Sequence, residues 1–156
     1  MASKTLLLVT YAPSPNLAKL AAGALSAARD QSDARQLIVQ SLSAFDAQPA
    51  DVLAADGLLF GTNENLASMA GISKDFFDRC YYPLLEHKQG LPIAAYVRAG
   101  HDGTGTLRQL QTIITGLRWR WVAEPLVLHG AWRNDFVAQV EELSAGLAIG
   151  LEQGIF

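Results

Sequence analysis

The sequence is short of cysteine, of excess positive charge and of long apolar runs, and each shortage narrows what the chain can be. Of its 156 residues one is a cysteine, Cys80. No internal disulfide can form, which suits a reducing cytoplasm. Cys80 stands in the apolar helical run FFDRCYY (76–82), so it reads as a small buried residue rather than a reactive thiol. Three histidines and one cysteine, isolated from one another, make no metal site. Lys and Arg number 12 against 15 Asp and Glu, for a net charge of −3, and they are scattered, so nucleic acid is not an expected partner. No apolar run approaches the ~20 residues of a membrane span. The N-terminal MASKTLLLVTYA has too short an apolar stretch for a signal peptide, so no membrane partner is expected. Core material is abundant instead, with 50% of residues hydrophobic and 17% charged. That argues against disorder and for one domain spanning 1–156.

Apolar runs of strand length alternate with helical patterns. TLLLVTY (5–11) is continuous and apolar, as expected of a strand covered on both faces. Ser14 follows as a helix N-cap and Pro15 as the first helical residue, ahead of Leu17, Leu20, Ala21, Ala24, Leu25 and Ala28 at helical spacing. ARQLIVQSL (34–42) is the second strand, and PADVLAAD (49–56) allows one or two helical turns. DGLLFGT (56–62) is the third strand; a polar loop then leads to a helix from about 71 to 87. LPIAAYVRAG (91–100), a helix over 104–117, RWVAEPLVLHG (120–130) and a helix capped by Asn134 and running to about 153 complete the chain. Pro125 marks the fifth strand as an edge strand, since a proline donates no ladder hydrogen bond. Strands alternating with helices in units of about 30 residues predict an α/β three-layer doubly wound sandwich. Five parallel strands in this length fit the flavodoxin-like order 2-1-3-4-5.

Ligands of such folds bind outside the carboxyl ends of the strands, which directs attention to loops 10–17, 62–70 and 98–105. The second reads GTNENLASMAGISKDFFDR. It resembles the segment T-P-E-Y-x-x-S-x-x-G-x-x-K-x-x-x-D of the flavodoxin-like NAD(P)H-dependent FMN reductases and quinone reductases. The matches are Thr62, Glu64, Ser68, Gly71, Lys74 and Asp78; Asn63 replaces the usual proline and Asn65 the usual tyrosine. Lys74 and Asp78 also have the spacing of an exposed helical ion pair worth a few tenths of a kcal/mol, and that is the reading adopted for them.

The resemblance implies an FMN held by all three loops, with NAD(P)H as co-substrate and a small-molecule electron acceptor as partner. Its ring would lie against the backbone of Thr62, Asn63, Glu64, Asn65 and Leu66 and against Ala99, Gly100, His101 and Gly103. Gly100, Gly103 and Gly105 allow close approach of backbone to ligand. His101, or else Arg98, is the candidate to stabilise charge on the reduced ring, and His101 is the only catalytic candidate. The phosphate would rest on Thr10, Ser14, Asn16 and Leu17 at the start of the first helix. Pro13 and Pro15 remove two N–H donors there and no arginine is present, so FMN is expected to bind more weakly than in a typical flavodoxin. Neither ring-bearing loop carries an aromatic residue to cover the flavin. An open ring face suits hydride transfer from a nicotinamide, which favours a reductase over an electron carrier or a scaffold that has lost FMN. A receiver domain is excluded, because the third strand ends in Phe-Gly-Thr without a phosphoacceptor aspartate. Trp119, Trp121 and Trp132 are expected in packing, and Tyr81 and Tyr82 are candidates for a homodimer interface of the kind common in that family.

Overall fold

The computed structural model describes residues 3–32 and 36–156. The chain runs β1 (Lys4–Thr10), α1 (Pro15–Gln31), β2 (Leu37–Ser43), α2 (Pro49–Leu53), β3 (Gly57–Asn65), β4 (Ser68–Met69), α3 (Gly71–Leu84), β5 (Pro92–Ala99), α4 (Thr104–Leu117), β6 (Arg120–Trp121), β7 (Leu126–His129) and α5 (Asp135–Glu152). The sheet order is β2-β1-β3-β5-β6, with β7 also paired to β5. These pairs are parallel. Helices cover both faces, so the predicted doubly wound architecture and its 2-1-3-4-5 order hold.

The reason is visible in β1, where Leu6, Leu7, Leu8 and Val9 are all wholly buried. Alternate side chains enter opposite cores: Leu7 and Val9 join the one roofed by α3 and α4, and Leu6 and Leu8 the one roofed by α1 and α5. Each such side chain contributes roughly 1.5–3 kcal/mol by leaving water. Cys80 belongs to the first core; burial pushes its thiol up to about 11, so it is inert at neutral pH. Among the described residues no helix is long and apolar enough to cross a membrane.

Three boundaries differ from the sequence reading. The predicted fifth strand is two short pieces, both paired to β5 and separated by 122–125. Pro125 lies in that gap, where its missing N–H interrupts the ladder of an edge strand. The third helix ends at Leu84 instead of about 87, just after Pro83, and the chain then turns through Glu86 at φ 68°. The second strand begins at Leu37; the residues expected to open it, 34 and 35, lie outside those described. The polar loop after β3 proves to be a β-hairpin, described next.

Candidate functional site

The chain order reverses between β1 and β3, so the crevice of this fold lies at their carboxyl ends. There the Tyr11 N–H donates to the Gly61 carbonyl (3.0 Å), stitching the first loop to the second. Ser14 caps α1 as expected: its Oγ accepts from the Leu17 N–H (3.3 Å), and Pro15 opens the helix. The Ala18 N–H is taken by the Ser14 carbonyl. Serine has therefore claimed two of the amides that the sequence offered to a phosphate. What remains is the N–H of Ser14 and of Asn16, the Ser14 hydroxyl proton and the positive end of the α1 dipole. Leu17 turns its side chain into the core, and Thr10 is nine-tenths buried.

Strand β3 continues through Thr62, Asn63, Glu64 and Asn65, and pairs antiparallel with β4. The hairpin turns on Leu66 (φ 53°) and Ala67 (φ 65°). A two-residue turn with φ positive at both positions normally takes Asn-Gly. Two side chains with a Cβ in this region cost about 1–2 kcal/mol each. The neighbours hold the strain in place. Glu64 Oε2 accepts from the Thr106 N–H (3.1 Å), and the Met69 N–H donates to Gln109 Oε1 (2.7 Å). A Cβ on Gly105 would run into the Ala67 carbonyl, so that glycine is required by the hairpin's seat on α4. Leu66 at the tip is fully exposed. Replacing Leu66-Ala67 by Asn-Gly is expected to stabilise the protein by about 1–2 kcal/mol, read from the denaturant midpoint. No gain in midpoint would show that the turn is unstrained.

Loop three is built the same way. Asp102 Oδ1 accepts from the Thr104 N–H (3.0 Å), and that amide, helped by the Thr104 hydroxyl, holds the Asp102 carboxyl below its ordinary range. Asp102 and Glu64 thus occupy two of the N-terminal amides of α4, those of Thr104 and Thr106, that the sequence reading offered to a ligand. Gly103 is left-handed (φ 72°) and packs on Val127; a Cβ on Gly100 would meet nothing within 4 Å. His101 is exposed. Together with Glu64, Asp102, Thr104 and the unforeseen His129 it lines a cleft of about 660 Å³. Only the position of His129, last in a strand whose neighbour carries loop three, hinted at its place. Arg98 faces elsewhere. Its guanidinium donates to the carbonyls of Ala99 (2.6 Å) and Leu128 (3.0 Å) and lies over the rings of Phe136 and Trp132. Burial lowers its pKa.

Several expected residues serve the protein first. Thr62 is wholly buried, with its hydroxyl 2.7 Å from that of Ser73. The Lys74–Asp78 pair is a surface bridge at 2.6 Å. Trp119 is buried, and Trp132 stacks edge-on to Phe136. Tyr81 packs against Gly116 of α4 while Tyr82 is 79% exposed, so any dimer face here rests on Tyr82. Among the described residues no group of His, Cys, Asp and Glu is disposed to hold a metal ion.

Does this edge suit a flavin? Among the described residues two buried polar atoms near the crevice have no partner: Asn63 Oδ1 in the second loop and Thr106 Oγ1 in the first turn of α4. Asn63 Nδ2 already donates to Asn65 Oδ1 (2.9 Å), so the free oxygen calls for a donor such as the N–H of a flavin ring. The donors left at α1 suit a phosphate, though without a cation. The donor set fits FMN.

The sheet order and the three loops at one edge define a flavodoxin-like α/β protein. Solved structures of that fold match along their length. They include an oxidoreductase from Corynebacterium diphtheriae (TM-score 0.67, 18% identity, 98% of this chain and 97% of that one). An archaeal flavodoxin matches with TM-score 0.78 and 15% identity over 95% and 99% of the two chains. An NADH:FMN oxidoreductase in its apo form matches with TM-score 0.70 and 20% identity over 96% and 90%. No curated protein matches the sequence. The family model of NADPH-dependent FMN reductases matches residues 14–133, from the cap of α1 to just beyond β7. The chain belongs to the NADPH-dependent FMN reductase family, a family of FMN-binding oxidoreductases.

Proposed function

We propose that this protein binds FMN at the carboxyl edge of β1, β3 and β5 and passes electrons from NAD(P)H to a quinone or flavin acceptor. The observation that carries the reading is the convergence of three loops at the switch point of a chain that belongs to the FMN reductase family. When bound, FMN supplies the hydride chemistry. The protein's part is to hold and orient it. Ser14 and Asn16 would bind the phosphate through their N–H groups and the Ser14 hydroxyl, beside Thr10 and Leu17, with the α1 dipole behind them. Thr62, Asn63, Glu64, Asn65 and Leu66 would present backbone to the ring from one side, and Ala99, Gly100, His101 and Gly103 from the other. Asn63 Oδ1 would accept from a ring N–H.

His101 is the proposed proton carrier, because it is exposed in the cleft with Glu64 and Asp102 on its walls. No aromatic side chain stands on either ring-bearing loop, which leaves a face for nicotinamide and acceptor and supports enzyme over electron carrier. The composition, with one buried cysteine, suits the cytoplasm.

Titration of FMN, followed by quenching of its fluorescence, tests the reading. Saturable binding is expected, followed by FMN-dependent oxidation of NADH or NADPH with a quinone acceptor. Ser14→Ala is expected to weaken FMN about fivefold, for one lost hydrogen bond of about 1 kcal/mol. No binding at tens of micromolar removes the reading, and an unchanged affinity in the variant puts the phosphate elsewhere.

A further inference from the structure

The break in the edge strand opens a second cleft. The ladder of β6 with β5 stops at Trp121, and that of β7 with β5 begins at Leu126. Residues 122–125 lie between the two, and with α4 they enclose a cleft of about 560 Å³. Trp121 and Pro125 give it apolar surface, Gln111 an amide and Thr115 a hydroxyl. Glu124 is its one charged group.

This cleft and the flavin crevice are two ends of one groove. Thr104, Arg108, Gln111 and Thr115 stand at i, i+4, i+7 and i+11, so they form a single stripe along α4. Thr104 lines the crevice, whereas Gln111 and Thr115 line the second cleft. The strand side is continuous in the same way. Val127 packs on Gly103 at the start of α4, and residues two apart share a face, so Pro125 and His129 lie on that same side. Pro125 belongs to the second cleft and His129 to the crevice. The separation is about 13 Å along the strand from Pro125 to His129. It is about 10 Å along the helix from Thr104 to Gln111. Arg108 stands between the two ends. It is exposed, and among the described residues its guanidinium has no ion-pair partner.

The order of these groups specifies the occupant. A flat base lies well against Trp121 and Pro125. A glutamine amide matches the donor and acceptor edge of adenine. A carboxylate accepts from the hydroxyls of an adenosine ribose, and a phosphate at the ribose 2′ position calls for an arginine instead. Glu124 is the carboxylate here, and no Lys or Arg lines the cleft to answer a 2′-phosphate. A guanidinium placed nearer the crevice suits a pyrophosphate. An extended nicotinamide dinucleotide presents adenine, ribose, pyrophosphate and nicotinamide in that sequence. We propose that the groove between α4 and the broken edge strand seats the adenosine diphosphate half of NADH, and that Glu124 makes the protein select NADH over NADPH. The choice of ligand rests on the flavin reading; the seat and the residue that discriminates between the two donors go beyond it.

The test is a titration of AMP, ADP and adenosine 2′,5′-bisphosphate into isotope-labelled, flavin-free protein, followed through amide chemical shifts. Saturable shifts are expected at 108–115 and 121–125 with AMP and ADP. The bisphosphate differs from AMP only by its 2′-phosphate and is expected to bind at least about tenfold more weakly, for the repulsion by Glu124. Glu124→Gln should bring it within about threefold of AMP. Arg108→Ala should weaken ADP about fivefold and Gln111→Ala about threefold. All three side chains are exposed, so no variant removes core packing. In the FMN-loaded protein, kcat/KM is expected to favour NADH over NADPH by at least about tenfold, and Glu124→Gln to narrow the gap. The proposal is overturned by an absence of saturable shifts, or by shifts confined to 10–17, 62–66 and 99–103. It is also overturned by a bisphosphate that binds as tightly as AMP, by variants that bind as the wild type does, or by a preference for NADPH. Failure of FMN to bind would remove the flavin reading, while the nucleotide titration, which uses no flavin, would still decide the adenosine seat.

Discussion

Gly61→Ala is expected to cost at least about 3 kcal/mol and to lower the melting temperature by roughly 6–12 °C. Gly61 lies inside β3, directly in register with Tyr96 of β5. A single methyl group at Gly61 would fall within the Tyr96 ring, against its Cζ and Cε2 atoms and its hydroxyl. Tyr96 is 1% exposed and shares its core with Leu8, Leu59 and Phe136, so the ring has no open space to enter. Burial also drives its phenol pKa far above the ordinary range, so relief by ionisation is closed as well. The chain must therefore part β3 from β5 or force the ring off its rotamer. The damage spreads to the crevice, because the Gly61 carbonyl accepts from the Tyr11 N–H and Thr62 follows at once. Calorimetry of Gly61→Ala and of Gly61→Ala with Tyr96→Leu checks the cause. The second change, which alone creates a cavity, is expected to return part of the lost stability when combined with the first. A single variant that melts like the wild type, or costs that simply add, would show that the ring is not the obstacle.

Gly61 also illustrates what the sequence could and could not declare. The run DGLLFGT announces a buried strand, and the continuous apolar runs around it were enough to give the sheet and its order. Such a run, of strand length and set between helical patterns, reads as a strand covered on both faces. Caps were legible for the same reason, being local, and Ser14-Pro15 behaves as its chemistry demands. The hairpin was hidden because Leu66-Ala67 is a poor turn dipeptide; its conformation is imposed by Glu64, Gln109 and Gly105. The partners Glu64 and Thr106 are separated by 42 positions, so no local pattern reports that the carboxylate already caps α4. The break in the fifth strand was half visible in Pro125: proline names an edge strand but not the point at which the ladder stops. His129 reaches the cleft only because β7 pairs with β5, a fact of topology rather than of motif.

These internal caps change the electrostatics of the site. A helix N-terminus draws anions through its free amides and its dipole. At α4 two carboxylates already answer that demand, whereas at α1 only a neutral serine does. Of the two helix ends at the crevice, α1 therefore keeps the stronger attraction for a phosphate, despite its prolines. This ordering supports the phosphate-to-α1 orientation, with the third loop left to contribute shape and His101.

Arg98→Ala is expected to cost about 3 kcal/mol, and Arg98→Lys to recover less than half of that. Arg98 stood in the sequence as a candidate to face the flavin. Instead its guanidinium makes two charge-assisted bonds to the carbonyls of Ala99 and Leu128, one in β5 and one in β7. Each such bond contributes about 1.5–3 kcal/mol. The Ala99 carbonyl also accepts from the Gly130 N–H (3.0 Å), so the group sits at the knot where loop three begins. The cation lies 5.1 Å from the Phe136 ring centroid and 5.9 Å from that of Trp132, an arrangement worth about 0.5–2 kcal/mol. Both bonds leave from Nη1; the lysine side chain ends one bond short of that atom and has no flat cation to lay over the rings, so it replaces neither the reach nor the stacking. Removing the cation should loosen β7 from β5 and with it the anchorage of 99–103. Denaturant midpoints of the two variants measure the loss, and amide exchange at 99–103 and 126–130 should locate it there. If Arg98→Lys instead kept the wild-type midpoint and changed only FMN affinity, Arg98 would be a flavin residue after all. The expected result makes it the fastener that holds the third loop in place for His101.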